Sequence, residues 1–181
     1  MKNLAISVLA FAAVVCCSGI EAQSEPIRMV LSCQSTRALT VGFENVGTED
    51  TALVIGMTLG NGRRYMVNGL VLQLKREDGG AAEIFRYSPQ DYPGAIGGRV
   101  DDWIVPLPVR TSFQLKLDSS QFWSEQFQRP DSLPLKSKAS LRLPVRAASP
   151  GTDLLGLKFL RIWTGSGTLT SNEISVPEDC R

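Results

Sequence analysis

Leu39-Thr40-Val41-Gly42-Phe43 alternates large apolar residues with small or polar ones, and Glu44-Asn45-Val46-Gly47 comes directly after it. Side chains two apart in an extended chain face the same way, so Leu39, Val41 and Phe43 are expected in a core, with Thr40 and Gly42 on the opposite face. Asn45 and Gly47 then end the run in a turn. The same pattern returns at Phe113-Gln114-Leu115-Lys116-Leu117. A half-buried strand, repeated, is the unit from which this chain is built.

On either side of this stretch, segments of period-two or short continuous apolar character cover 28–33, 52–59, 70–76, 83–87, 103–107, 139–145, 157–163 and 171–176. Turn signals stand between them, among them Asn61-Gly62, Asn68-Gly69, Asp78-Gly79-Gly80 and Gly165-Ser166-Gly167. Only 119–127 has the character of a short helix, with Asp118 as its cap. The class expected is all-β: a single immunoglobulin-like β-sandwich of about nine strands with one short helix, a barrel being the alternative. No linker interrupts the pattern, and the Pro-bounded stretch 129–137 reads as a crossing loop, so residues 23–181 form one domain.

The start of the chain has a different character. Lys2, an apolar run over 4–17 and the small residues after it read as a secretory signal peptide, with cleavage expected after Ala22. The run is shorter than the about 20 residues of a transmembrane helix. Lipidation at Cys16 or Cys17 is disfavoured by Val15 and Cys16, the residues that precede them. A secreted or periplasmic protein with no membrane span is therefore expected. Removal of the leader leaves Cys33 and Cys180 as the cysteine pair. In an oxidising compartment two such thiols pair, closing nearly the whole domain and contributing roughly 5 kcal/mol by chain entropy. A redox-active pair would use close C-x-x-C spacing, which is absent.

Leu39–Gly47 resembles the early strand of bacterial immunoglobulin-like domains, a strand ending in Asn and then a turn. Val105-Pro106-Leu107-Pro108-Val109-Arg110-Thr111-Ser112-Phe113, running on to Leu117, is similar to their loop-then-strand return. Over roughly 39–117 the chain is similar in pattern to the intracellular proteinase inhibitor type. That resemblance implies a sandwich fold and carries no inhibitory residue. The chain departs from it in having a leader and in continuing well beyond Leu117.

Composition narrows the function. The sequence contains no histidine, which removes Ser-His-Asp and Cys-His nucleophiles and histidine metal sites from consideration. A formal net charge of +1 argues against a nucleic-acid partner. Gly60-Asn61-Gly62 lacks the third glycine of a dinucleotide fingerprint and reads as a hairpin turn. Ser137-Lys138 reads as a solvated loop pair rather than a catalytic dyad. Asp101-Asp102 and Glu49-Asp50 read as turn acids, without the about six to eight oxygens that calcium takes. A glycosidase-like carboxylate pair stays formally open, because strand spacing is not legible in sequence. No enzymatic activity, cofactor or metal is expected.

The stretch 87–103 stands out as long, rich in Gly and Pro, and supplied with Tyr87, Tyr92, Arg99 and Trp103. Rigid aromatics with arginine on a loop are common recognition devices; the alternative is an ordinary connection whose Trp103 enters the core. Phe122, Trp123 and Phe127 form a second aromatic group, expected to plug one end of the sandwich from the short helix. Trp163 closes an apolar run from Leu154 and reads as structural. The function expected is a non-catalytic module that binds another protein. The alternatives are a protease inhibitor presenting residues 87–99 and a carbohydrate-binding module using exposed aromatics, for which the partner is a glycan.

Overall fold

The alternation at 39–43 sits on a central strand of an all-β fold. The computed structural model describes residues 25–35, 38–59, 64–67, 69–76, 82–87, 100–124, 137–151, 160–165 and 167–176. In chain order the strands are β1 (Ile27–Ser35), β2 (Ala38–Asn45), β3 (Thr51–Leu59), β4 (Arg64–Val67), β5 (Val71–Arg76), β6 (Glu83–Tyr87) and β7 (Val100–Leu107). They continue with β8 (Ser112–Asp118), β9 (Phe122–Ser124), β10 (Ser137–Pro144), β11 (Arg161–Ile162), β12 (Thr168–Thr170) and β13 (Ile174–Ser175). The leader, the 88–99 loop, most of the 129–137 crossing and Cys180 lie outside the described residues.

Three sheets share one core. The first is β1-β2-β8, the second β12-β10-β5-β6-β9 with β13 also on β10, and the third β11-β3-β4 with β7 also on β3. In the first sheet Phe43 lies between Met29 and Phe113, and Val41 between Leu31 and Leu115. The buried side chains of all three sheets meet in a single cluster that includes Phe43, Leu53, Leu72, Leu107, Phe122 and Leu141. Each such burial contributes about 1.5–3 kcal/mol. Thr40 and Gly42 are buried as well, because β2 is flanked on both sides. A Cβ on Gly42 would stand 3.8 Å from Gln114 Cγ.

The links β2–β3, β4–β5, β6–β7, β7–β8 and β8–β9 each change sheet, which is what wraps the sheets around the core. Asn45 anchors two of these links, β2–β3 and β7–β8, at one end. Only 2% exposed, it donates through Nδ2 to Leu107 O at 2.7 Å and to Glu49 O at 2.9 Å, while Oδ1 accepts from Gly47 N at 3.0 Å. Its backbone N–H donates to Thr111 O, and Arg110 N donates back to its carbonyl. Through its side-chain amide and its backbone, this one buried residue ties the end of β2 to the turn after it, to the end of β7 and to the turn before β8.

Several expectations are corrected. Of the helix expected at 119–127, the described part holds a single 3₁₀ turn, Ser119–Gln121, which Asp118 caps by accepting from Ser120 N, while Phe127 lies outside the described residues. Phe122-Trp123-Ser124 then extends to pair with β6, since aromatic residues favour a pleated surface once a partner strand is present. Ser137-Lys138 opens β10 rather than lying in a loop, and Asp101-Asp102 lie within β7 rather than in a turn. The segment 157–163, expected as a strand, is in its described part a two-residue strand paired parallel to β3 with Arg161 exposed. The segment expected as a strand over 171–176 pairs only at Ile174–Ser175, β13, with β12 ending just before it; both lie on one edge of β10.

Candidate functional site

The loop residues singled out by sequence do not come together within the described part of the chain. Tyr87 lies at the end of β6 and Trp103 on β7, in different sheets. Tyr87 is half-buried; its hydroxyl donates to Gln121 Oε1 at 2.9 Å and its ring stands edge-on to Phe122 at 5.0 Å. Burial pushes its phenol above the ordinary value and the Asp118 charge adds to this, while a backbone hydrogen bond at Asp118 opposes it. Trp103 packs against the core and stands edge-on to Phe113 at 6.0 Å. Gly56 is its cross-strand partner, placed there by a one-residue bulge in β3 after Val54. Tyr92 and Arg99 lie outside the described residues. Cys33 is half-buried near the end of β1 and disulfide-bonded.

Asp102, adjacent to Trp103, faces away from the core. Its side chain is 4% exposed because the segment after β10 folds over it. Arg146 Nη2 lies 2.6 Å from Asp102 Oδ1, the Ser149 hydroxyl is 3.2 Å from the same oxygen, and Ser149 N donates to Oδ2. Arg146 also reaches Gly56 O at 3.3 Å and Ser149 Oγ at 3.2 Å. The three residues form a clasp that fastens residues 145–151 to β7. No group of three or more Cys, Asp or Glu placed to hold a metal ion occurs among the described residues.

Among the described residues, a row of charged side chains lies on the outward face of β10-β5-β6-β9. Cross-strand register places Arg142 beside Val71, Val71 beside Arg86, and Arg86 beside Trp123. Neighbouring strands lie about 4.8 Å apart, so this is one continuous row. A second row runs Ser140, Gln73, Ile84, and a third pairs Lys138 with Lys75. Ile84 is 46% exposed, one of three exposed large apolar residues among those described. Glu173, just before β13, reaches Lys75 Nζ at 3.2 Å and Lys138 Nζ at 3.3 Å. Those two lysines hold its carboxyl below the ordinary value.

Among the described residues these rows therefore carry four cations and one carboxylate, on a chain whose formal net charge is only +1. Their ingredients are legible strand by strand: Ile84 and Arg86 share a parity in Glu-Ile-Phe-Arg-Tyr, as do Lys138 and Arg142 in Ser-Lys-Ala-Ser-Leu-Arg-Leu. What sequence does not contain is the register that aligns them. Compared with protein-family models, curated proteins and solved structures, the chain matches none.

Proposed function

We propose that this is a secreted or periplasmic, non-catalytic protein of immunoglobulin-like sandwich type that binds another protein. The observation that carries this reading is exposed Ile84 set among Arg86, Arg142, Lys75 and Lys138 on one sheet face. Protein interfaces combine an apolar centre with a polar rim, and arginine is enriched in them. The leader at 1–22 directs export, and Cys33 pairs with Cys180 to staple the two ends of the domain. Intact mass of the exported protein, with thiol titration before and after reduction, tests both statements. An N-terminus at Gln23 and two thiols released only by reduction are expected.

Binding is tested by photocrosslinking in the producing cells, with a photoreactive residue at position 84 and, separately, at position 116 on the β1-β2-β8 sheet. A discrete protein adduct of fixed mass is expected from position 84. Absence of a protein adduct at both positions rejects the reading.

A further inference from the structure

We infer that the open edge of β8 pairs with the same edge of a second copy, joining two β1-β2-β8 sheets across a two-fold axis. Asn45 N donates to Thr111 O. By the alternation of an antiparallel ladder, the odd-numbered residues of β8 therefore bond to β2, while Ser112, Gln114 and Lys116 direct N–H and C=O outward. No strand takes those groups up among the described residues. Beyond them the edge is closed, because the backbone of Asp118 hydrogen-bonds the Tyr87 hydroxyl. The inward side chains are also left uncovered: Phe113 and Leu115 are only half-buried, although their register partners Phe43 and Val41 are 0% exposed. Other long edges are guarded: β1 is met by Asn172 at Leu31 and shifts register after Cys33, and β7 contains Pro106.

The edge complements itself in one register. With Gln114 facing Gln114 of the second copy, Ser112 faces Lys116 of the second copy and Lys116 faces its Ser112, so the outward groups of all these residues find partners. Phe113 then lies opposite Leu115 of the second copy, in a close pair with Cα atoms about 4.5 Å apart, and each covers the other's exposed side. No like charges are opposed. Glu44 is the cross-strand neighbour of Ser112, so Lys116 of the second copy stands two strands, about 9.6 Å, from it. The small Ser112 side chain between them leaves the lysine free to reach that carboxylate, which Arg28 holds from the other side. Registers shifted by two residues would call instead on Asp118 or Arg110, whose backbone groups are already bonded.

The test is sedimentation velocity of the full-length exported protein. A dimer that forms with rising concentration, up to about 1 mM, is expected, since one added strand pair makes a small interface. Gln114→Pro removes the outward N–H at the axis and spares the β2 ladder; it should leave a folded monomer, with circular dichroism unchanged. Ser112→Lys opposes two lysines at each end of the paired edge and should weaken the dimer about tenfold, whereas Ser112→Glu should tighten it severalfold. Within one copy the neighbouring Glu44 gives these two substitutions the reverse order of thermal stability, so a merely structural effect would have the opposite sign. Val100→Asn, at an exposed position of β7, should change nothing. A protein monomeric at every concentration overturns the inference, as does a dimer lost in Val100→Asn. A dimer indifferent to Ser112→Lys overturns it as well, whether or not Gln114→Pro folds. A photoreactive residue at position 116 should give an adduct of twice the protomer mass, distinct from the partner adduct at position 84, so this pairing and the protein-binding reading fail separately.

Discussion

The side-chain amide of Asn172 pairs with the backbone of Leu31 as a neighbouring strand would. Leu31 N donates to Asn172 Oδ1 at 2.7 Å, and Asn172 Nδ2 donates to Leu31 O at 3.0 Å. Asn172 stands between β12 and β13, on the edge of β10, while Leu31 is on β1, whose other side pairs with β2. One side chain therefore joins two sheets and covers part of an edge that would otherwise present unpaired backbone groups. The adjacent Ser171 helps to hold it there, its N–H donating to Leu141 O and its hydroxyl accepting from Leu141 N.

Asn172→Ala leaves both polar groups of Leu31 without this partner. A loss of about 1–2 kcal/mol in urea unfolding is expected, given that the site is only partly buried. Asn172→Asp keeps the acceptor and loses the donor, so it should fall between wild type and Ala. Equal stability of all three proteins would show that the amide is not the link.

Asn45→Ala strips three hydrogen bonds from a buried position and should cost about 3 kcal/mol. Gly47→Ala tests the same corner through packing, since a Cβ there would lie 2.7 Å from Pro26 Cβ. Backbone shifts to relieve that contact cost about 1–3 kcal/mol. Chemical denaturation of each variant measures both effects, and hydrogen exchange should rise at Arg110 and Thr111.

The Asp102–Arg146 clasp should respond asymmetrically. Arg146→Ala takes the guanidinium away from a nearly buried carboxylate, whereas Asp102→Ala leaves an arginine whose side chain is 41% exposed and can turn to water. Removing the partner of a buried charge is the costlier loss, so Arg146→Ala is expected to be the less stable by about 1 kcal/mol or more. The opposite order in thermal melts would mean that Ser149, rather than Arg146, holds the carboxylate.

Glu173 and Tyr87 give pH dependences of different sign. The carboxyl of Glu173 is lowered from its ordinary value of 4.5 by hydrogen bonds to Lys75 and Lys138. Its contribution to stability is present above that value and lost as pH falls through the lowered one. Carboxyl-carbon NMR should show the titration moving up towards the ordinary value in Lys75→Ala and Lys138→Ala.

The phenol of Tyr87 is raised above 10.0, chiefly by burial. Its contribution is complete below 10.0 and lost as pH rises through the folded value. Tyr87→Phe should flatten the fall in stability on the alkaline side, read from melts across that range. An unchanged alkaline slope would assign the fall to other groups.

Much of the strand pattern is legible because alternation is a local property. The strand at 83–87 reads from sequence with its observed limits, and 39–45 within one residue of them, since apolar residues two apart need no knowledge of the rest of the chain. The helix expected over 119–127 is, in its described part, only one turn, for the opposite reason. Asp118 does cap a turn, as its position suggests, but the pairing of Phe122–Ser124 with β6 overrides any helical continuation. Asp102 reads as an ordinary acid because its burial depends on Arg146 and Ser149, far along the chain and without any motif.

Order, alternation and turn chemistry along this chain are enough for the all-β class, for the inward identity of Leu39, Val41 and Phe43, and for the turn that Asn45 begins. These come from backbone geometry acting over two to four residues. Tertiary structure alone decides that Arg142, Val71, Arg86 and Trp123 form a row, that Asn172 joins two sheets and that Asp102 is covered. Each depends on register or contact between segments distant in sequence, set by the best burial of one shared core rather than by any local preference.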